Sequence, residues 1–262
     1  VMSGEGAKGA WQSVACQQII SESGYPDFFI GVSSGAVNSF AMSHGSPSRA
    51  VELWSSIKSI RDIFSPNWFS SLWKTGLMNA KPARKLLSKY PTHRALVPYH
   101  IPFACAHTGL VHWHNVSCNT EINPEIVDSM ISAMAIPGLV EANHDQYIDA
   151  GAVVLNPVSH AIQLGATQIT VILGRSPEFR PFFYGTGLFS KNLGRAGTYA
   201  YRFLDLLMHE IVIRDLNVCS EFFCGKIEVV YPGCQLPDAL AFDRCNEMAN
   251  LSIYPMQRRF LK

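Results

Sequence analysis

Charge is scarce in this sequence, and several features that would point to a function directly are missing. Only 16% of the 262 residues are charged, and the net charge is +1. That balance gives no basic surface, so we do not expect a nucleic acid as a partner. No run approaches the roughly 20 apolar residues that span a bilayer. No charged and then apolar leader stands at the start of the sequence.

The cysteines give no framework either. The seven are an odd number without C-x-x-C spacing, and we expect buried, reduced thiols. A disulfide among the last four is the alternative if the protein is secreted. His112 and His114 share one face of a predicted strand, but without a third ligand nearby we expect packed or surface histidines rather than a metal site.

The chain is long enough for a continuous core and shows no repeat, low-complexity tract or linker, so we expect one domain over residues 1–262. Val1 to Ser3 are predicted to be the tail of a strand, which suggests that the chain begins inside a longer one. Predicted strands alternate with helices, which favours an α/β fold with a largely parallel sheet. Among the helices we predict a long one from Gly194 to Asn217 and a closing one from Pro237 to Ser252.

The most informative stretch runs from Phe28 to Phe40. An apolar run ending at Val32 predicts a buried strand, and Gly31-Val32-Ser33-Ser34-Gly35 then fits G-x-S-x-G before a helical pattern. A strand, a sharp turn with glycines two before and two after a serine, and a helix form a nucleophile elbow. The glycine positions select Ser33 rather than Ser34. A simple helix cap is the alternative.

A glycine-rich loop, with glycines at positions 4, 6 and 9, follows the first strand. It resembles a dinucleotide fingerprint, but the acidic residue expected at the end of the second strand is absent. A phosphate-binding Walker loop fails as well, because Lys8 is followed by Gly9. Successive backbone N–H groups at a helix start would instead hold a developing oxyanion.

A serine nucleophile needs a base. His160 and His209 follow Ser33 in the chain order of a Ser-His-Asp esterase. The alternative is Asp149, at the end of a predicted strand and before a turn of small residues, Ala150-Gly151. A carboxylate in direct contact with Ser33 would form a dyad without histidine.

These three motifs, in this order, resemble the patatin-like phospholipase family, most clearly over residues 1–175. The resemblance implies a three-layer α/β/α fold with a mostly parallel central sheet. It implies a lipid acyl hydrolase without a metal or organic cofactor, which acts on phospholipids or other acyl lipids and sits in the cytoplasm or at a membrane periphery. Ser33 would be the nucleophile and Asp149 the base. The oxyanion loop would comprise Gly4, Glu5, Gly6, Ala7, Lys8 and Gly9, the elbow glycines would be Gly31 and Gly35, and the aspartate turn would be Ala150 and Gly151.

Two positions depart from the family pattern. Glu5 stands where a glycine is usual, and Ala150 stands where a glycine usually follows the aspartate. These departures support a second hypothesis, a catalytically weak lipid-binding or interaction protein with the same fold. Two aromatic segments, Phe64 to Trp73 and Phe179 to Phe189, are candidates for a rim that makes transient contact with membranes; packing in the core is the alternative.

Overall fold

The computed structural model describes residues 1–67, 74–90, 94–178 and 194–261. Its strands are β1 (Phe29–Ile30), β2 (Ser65–Pro66), β3 (Gly76–Asn79), β4 (Tyr99–Cys105), β5 (Val111–Val116), β6 (Gly138–Val140), β7 (Tyr147–Asp149), β8 (Gln168–Ile172), β9 (Lys226–Pro232) and β10 (Met256–Leu261). Its α-helices are α1 (Gly9–Ser23), α2 (Ser34–His44), α3 (Pro47–Ser56), α4 (Lys81–Ser88), α5 (Pro124–Ala133), α6 (Val158–Gln163), α7 (Gly194–Phe222) and α8 (Cys245–Met248).

The central strands form a mixed sheet. β1 pairs in parallel with β4, and β8 pairs in parallel with β9. Met2 joins the two pairs through parallel bridges to Gly31 and Ile172. At the edges, β5 and β7 run antiparallel to β4, and β10 runs antiparallel to β9. The expectation of a mostly parallel sheet is therefore corrected. The turn at Gly109 joins β4 directly to β5, and so short a connection permits only antiparallel pairing.

Neighbouring residues of the central strands alternate between two apolar clusters. One cluster contains Phe29, Ile172 and Val230 together with residues of α1, α2 and α5. The other contains Ile30, Val171 and Val229 together with residues of α6 and α7. Because successive strand side chains point to opposite faces, helices pack against both faces of these strands. This packing confirms the α/β class.

The predicted closing helix from Pro237 to Ser252 is wrong. The structure has only a 3₁₀ turn at Phe242–Arg244 and the short helix α8 in this region. The carbonyl of Ala239 accepts a hydrogen bond from the N–H of Ala7 at 2.7 Å. This contact with a segment at the other end of the chain holds residues 237–241 as a loop against the glycine-rich loop. The predicted helix from Gly194 extends to Phe222 rather than ending at Asn217.

The remaining expectations concern the cysteines, membrane-spanning helices and the two aromatic segments. All seven cysteines lie in described segments and are free thiols. No helix within the described ranges is long and apolar enough to cross a bilayer. In the first aromatic segment Phe64 is buried, whereas residues 68–73 and the whole segment from Phe179 to Phe189 lie outside the described residues.

Candidate active site

The serine motif forms a sharp turn between β1 and α2. Ser33 has φ 52° and ψ −119°, a left-handed conformation that costs a non-glycine residue free energy. A Cβ added at Gly31 would lie 2.0 Å from the carbonyl oxygen of Gly35, and one at Gly35 would lie 2.3 Å from that of Met2. Only glycine fits at either position, so the G-x-S-x-G spacing is a steric requirement of this turn. The predicted elbow geometry is present.

Asp149 reaches the elbow from the other side. It ends β7, where it stands opposite Phe103 of β4, and its N–H donates to the carbonyl of Ala135 at 2.9 Å. Its Oδ1 accepts a hydrogen bond of 2.7 Å from the N–H of Gly151, and the Ser33 hydroxyl lies close enough to the carboxyl group to lower its pKa. The structure thus brings together the two side chains that the sequence analysis paired.

The environment of Asp149 favours the protonated carboxyl group. Burial raises the pKa of Asp149 to about 6, and the nearby Ser33 hydroxyl and the N–H of Gly151 oppose that rise only in part. A carboxylate with a pKa near neutrality is a better proton acceptor than an ordinary aspartate. It is still mostly ionised at pH 7, as a general base must be.

The turn after Asp149 accommodates alanine without strain. Ala150 begins a short 3₁₀ helix that extends to Ala152, and it is fully buried. Ala150 is not among the residues with positive φ, so its backbone lies in a region that L-amino acids adopt freely. The departure at Ala150 therefore leaves the aspartate turn intact.

The glycine-rich loop begins at Gly4 and becomes a 3₁₀ turn at Gly6–Lys8 before α1. The N–H of Glu5 donates to Ser34 Oγ at 3.1 Å, so this N–H is already engaged. Gly6 has φ 58°, and within the described part of the chain no acceptor is assigned to its N–H. The N–H of Ser34, at the start of α2, is likewise without an assigned acceptor there. The N–H groups of Gly6 and Ser34 are therefore available as donors, whereas that of Glu5 is not.

An apolar cleft opens beside these groups, with a volume of about 600 Å³ that includes its opening to solvent. Gly6, Ser33 and Ser34 form its polar end. The rest of the lining is hydrophobic: Val37, Leu53, Trp54, Ile57, Ile63, Phe64, Ala83, Leu86, Leu87, Met134, Ile136 and Phe242. Such a lining suits an alkyl chain whose reacting end meets the Ser33 hydroxyl.

The candidate histidines lie elsewhere. His160 stacks on Trp113 with ring centroids 3.5 Å apart. His209 is buried, and both its burial and the nearby positive charge of Arg175 lower its pKa. Neither histidine contributes to the pKa shift of Asp149. His112 stacks on Phe103. Within the described ranges no group of three or more His, Cys, Asp or Glu residues could hold a metal ion.

Several residues that surround the loop were not identified from the sequence. Arg175 and Gly174 hold the Glu5 carboxylate, at 3.0 Å from Nε and 2.9 Å from N respectively. The carbonyl of Ala239 accepts a hydrogen bond from the N–H of Ala7 in the loop. These contacts join segments more than 160 residues apart, and no local pattern in the sequence announces them.

Comparison with known proteins places these motifs in a family. A search of curated proteins gives no match. The family model of the patatin-like phospholipases matches residues 1–162, a range that includes the glycine-rich loop, Ser33 and Asp149 but ends before Arg175. Because the match covers more than half of the sequence, the chain belongs to the patatin-like phospholipase family.

Proposed function

We propose that this protein hydrolyses acyl esters of lipids through a Ser33–Asp149 dyad. Membership of the patatin-like phospholipase family supports lipid acyl hydrolysis in general. The observation that supports the residue assignment is the strained elbow at Ser33 next to the buried Asp149 carboxyl group, whose pKa responds to the Ser33 hydroxyl. A serine at a strained elbow, next to a carboxylate of raised pKa, is the expected arrangement of a nucleophile with its base.

In the proposed reaction, Asp149 accepts the Ser33 proton as Ser33 Oγ attacks the acyl carbonyl. The carbonyl oxygen gains negative charge, and the N–H groups of Gly6 and Ser34 stabilise it. Collapse of the tetrahedral intermediate breaks the ester bond; the leaving alcohol takes the proton from Asp149, and the acyl group remains on Ser33. Water, activated by Asp149, then attacks the acyl-enzyme and releases the fatty acid. No step requires a metal or an organic cofactor.

The substrate class follows from the cleft. Its hydrophobic lining adjoins Ser33, so a substrate with an alkyl chain can place its carbonyl at the nucleophile while the chain occupies the cleft. Phospholipids and related acyl lipids have this form. We propose that the enzyme reaches these lipids by transient contact with a membrane surface. We also propose that its fold is the three-layer α/β/α arrangement of the patatin type.

A Ser-His-Asp esterase is the main enzymatic alternative, and the positions of His160 and His209 argue against it. His160 stacks on Trp113 and His209 lies near Arg175, so neither is arranged as a base for Ser33. The second alternative is a lipid-binding protein with little activity. The intact aspartate turn and the paired Glu5 carboxylate favour the active enzyme over this alternative.

The test is covalent labelling with a fluorophosphonate followed by hydrolysis of a soluble short-chain ester. We expect Ser33→Ala to abolish both labelling and hydrolysis while the protein stays folded, since the Ser33 hydroxyl contributes little packing. Ser34→Ala is the matched neighbour: it should retain labelling with reduced turnover, because Ser34 Oγ accepts only the Glu5 N–H. Activity that survives Ser33→Ala, or labelling that moves to Ser34, would refute the assignment. A phospholipid panel would then identify the substrate.

A further inference from the structure

A buried carboxylate lies directly behind the glycine-rich loop. The Glu5 side chain is 0% exposed. Its carboxylate accepts hydrogen bonds from Ser3 Oγ at 2.7 Å, from the N–H of Gly174 at 2.9 Å and from Arg175 Nε at 3.0 Å. A carboxylate buried without such partners would be strongly unfavourable. Glu5 is therefore fixed in one place by a local donor, Ser3, and by two donors from one distant segment, Gly174 and Arg175.

Two cations neutralise this carboxylate. Arg175 is 3% exposed and pairs with Glu5, and Lys8 Nζ lies 3.9 Å from the same oxygen, Oε2. Burial on its own disfavours the Glu5 carboxylate, but the charges of Arg175 and Lys8 outweigh it and keep its pKa below the ordinary value. Arg175 is itself held by Asp205 of α7, whose Oδ1 lies 3.7 Å from Nη1. The pair is thus tied to the long helix α7.

The backbone of Glu5 faces the nucleophile while its side chain faces away. The Glu5 N–H donates to Ser34 Oγ at 3.1 Å, and the next residue, Gly6, lines the cleft beside Ser33. A Cβ at Gly6 would lie 2.2 Å from the Ala239 carbonyl oxygen, so the loop is packed closely on its far side too. Any shift of Glu5 would displace the Gly6 N–H relative to Ser33.

We propose that Glu5 and Arg175 form a positioning pair that holds the oxyanion-binding loop in its productive geometry. The proposal rests on the proposed function, since it assigns the pair a purpose in the same reaction. Neither side chain touches the reacting atoms. The backbone of Glu5 is part of the loop, so the position of Glu5 determines the position of the loop. Arg175, which follows β8, holds the Glu5 carboxylate in place. In this chain a charged pair does the fixing at a position where the family usually has glycine.

The experiment measures kcat and KM on a soluble short-chain ester for Glu5→Gln, Arg175→Lys and the double variant. The concentration of active sites is measured by titrating the reactive serine to completion with a fluorophosphonate. Each kcat is then the maximal rate per titrated serine, so that unfolded molecules are not counted. Glu22→Gln is the control, because it removes a carboxylate that is also paired with an arginine, Arg258, but at the far end of α1. Melting temperatures are recorded for all variants.

We expect each single variant to lower kcat per titrated serine by about 10- to 100-fold with little change in KM, since a displaced donor weakens only transition-state binding. The double variant should be little worse than the poorer single variant, because the two residues act as a unit. Glu22→Gln should change neither constant. Arg175→Lys keeps the positive charge, so its kcat per titrated serine still tests the proposal if Glu5→Gln fails to fold.

Unchanged kcat per titrated serine, with only a lower melting temperature, would show that the pair is merely structural and would overturn the proposal. Independent, multiplicative losses in the double variant would also overturn it. Failure of the proposed function is distinguishable, because it would appear as full activity in Ser33→Ala, whereas Glu5 variants leave Ser33 available for titration.

Discussion

Replacing Asp149 by asparagine tests both the base and the electrostatics of the site. Asparagine keeps the shape of the side chain, and its carbonyl oxygen can still accept from the Gly151 N–H. Its amide can donate to Ser33 Oγ, but it cannot accept a proton. We therefore expect Asp149→Asn to lose activity and, unusually for a buried substitution, to gain stability at neutral pH.

The gain follows from the raised pKa of Asp149, which lies at about 6 against an ordinary value of 3.8. Below pH 3.8 the carboxyl group is protonated in both the folded and the unfolded protein, and ionisation costs nothing. Between pH 3.8 and about 6 the unfolded chain ionises first, so the folded protein loses stability as the pH rises. At about 1.4 kcal/mol for each pH unit, the loss approaches about 3 kcal/mol above pH 6. Asparagine, which never ionises, avoids it.

Chemical denaturation at pH 4 and at pH 8 measures this difference. Relative to the parent protein, Asp149→Asn should be more stable by up to about 3 kcal/mol at pH 8, or roughly 6–12 °C in melting temperature, and nearly equal at pH 4. Asp27→Asn, at an exposed aspartate, is the matched control. In the parent protein, kcat/KM should rise with pH around a midpoint of about 6. A midpoint near 4, or an Asp149→Asn protein less stable than the parent at pH 8, would refute the reasoning.

Other substitutions test the geometry directly. Because Ser33 has φ 52°, Ser33→Gly should be more stable than Ser33→Ala by about 1 kcal/mol in denaturant unfolding, although both are inactive; equal stabilities would show that the elbow is unstrained. Gly35→Ala brings a Cβ to 2.3 Å from the Met2 carbonyl and should cost about 1–3 kcal/mol, whereas Gly109→Ala, where nothing lies within 4 Å, should cost only the strain of its positive φ. Val37→Phe should narrow the cleft and lower kcat/KM for long-chain esters roughly 10-fold while sparing short-chain esters. An equal loss on both substrates would show that the alkyl chain of the ester does not bind in this cleft.

The candidate nucleophile could be predicted from the sequence because the turn that carries it tolerates only glycine on either side. A Cβ at Gly31 would meet the carbonyl of Gly35, and one at Gly35 would meet that of Met2. A motif of this kind is visible in five consecutive letters. Asp149 was identifiable because a strand end followed by small residues predicts a tight turn. The pairing of Ser33 with Asp149 came from their order along the chain and from the resemblance, and in the structure the Ser33 hydroxyl is near enough to influence the pKa of Asp149.

The rest of the site depends on contacts that sequence patterns do not encode. The region from Pro237 to Ser252 has apolar residues at helical spacing, yet it bends into a loop because the Ala239 carbonyl pairs with the Ala7 N–H. Periodicity reports which side chains face the core. It carries no information on where a backbone carbonyl 232 residues away in the chain finds its donor. The sheet was misjudged for a related reason, since the turn at Gly109 makes β4 and β5 a hairpin.

Glu5 shows most clearly how a local departure can have a distant explanation. Considered alone, a glutamate in a glycine-rich loop suggests a damaged oxyanion site. In the structure its carboxylate is fully paired, and the partner that neutralises it, Arg175, lies beyond residue 162, where the family match ends. Breaking a buried pair of this kind costs about 3–5 kcal/mol, so loss of either partner should destabilise the folded protein. Ser33 and Asp149, the proposed nucleophile and base, therefore lie within the matched region, whereas Gly174 and Arg175, which hold the Glu5 carboxylate, lie outside it.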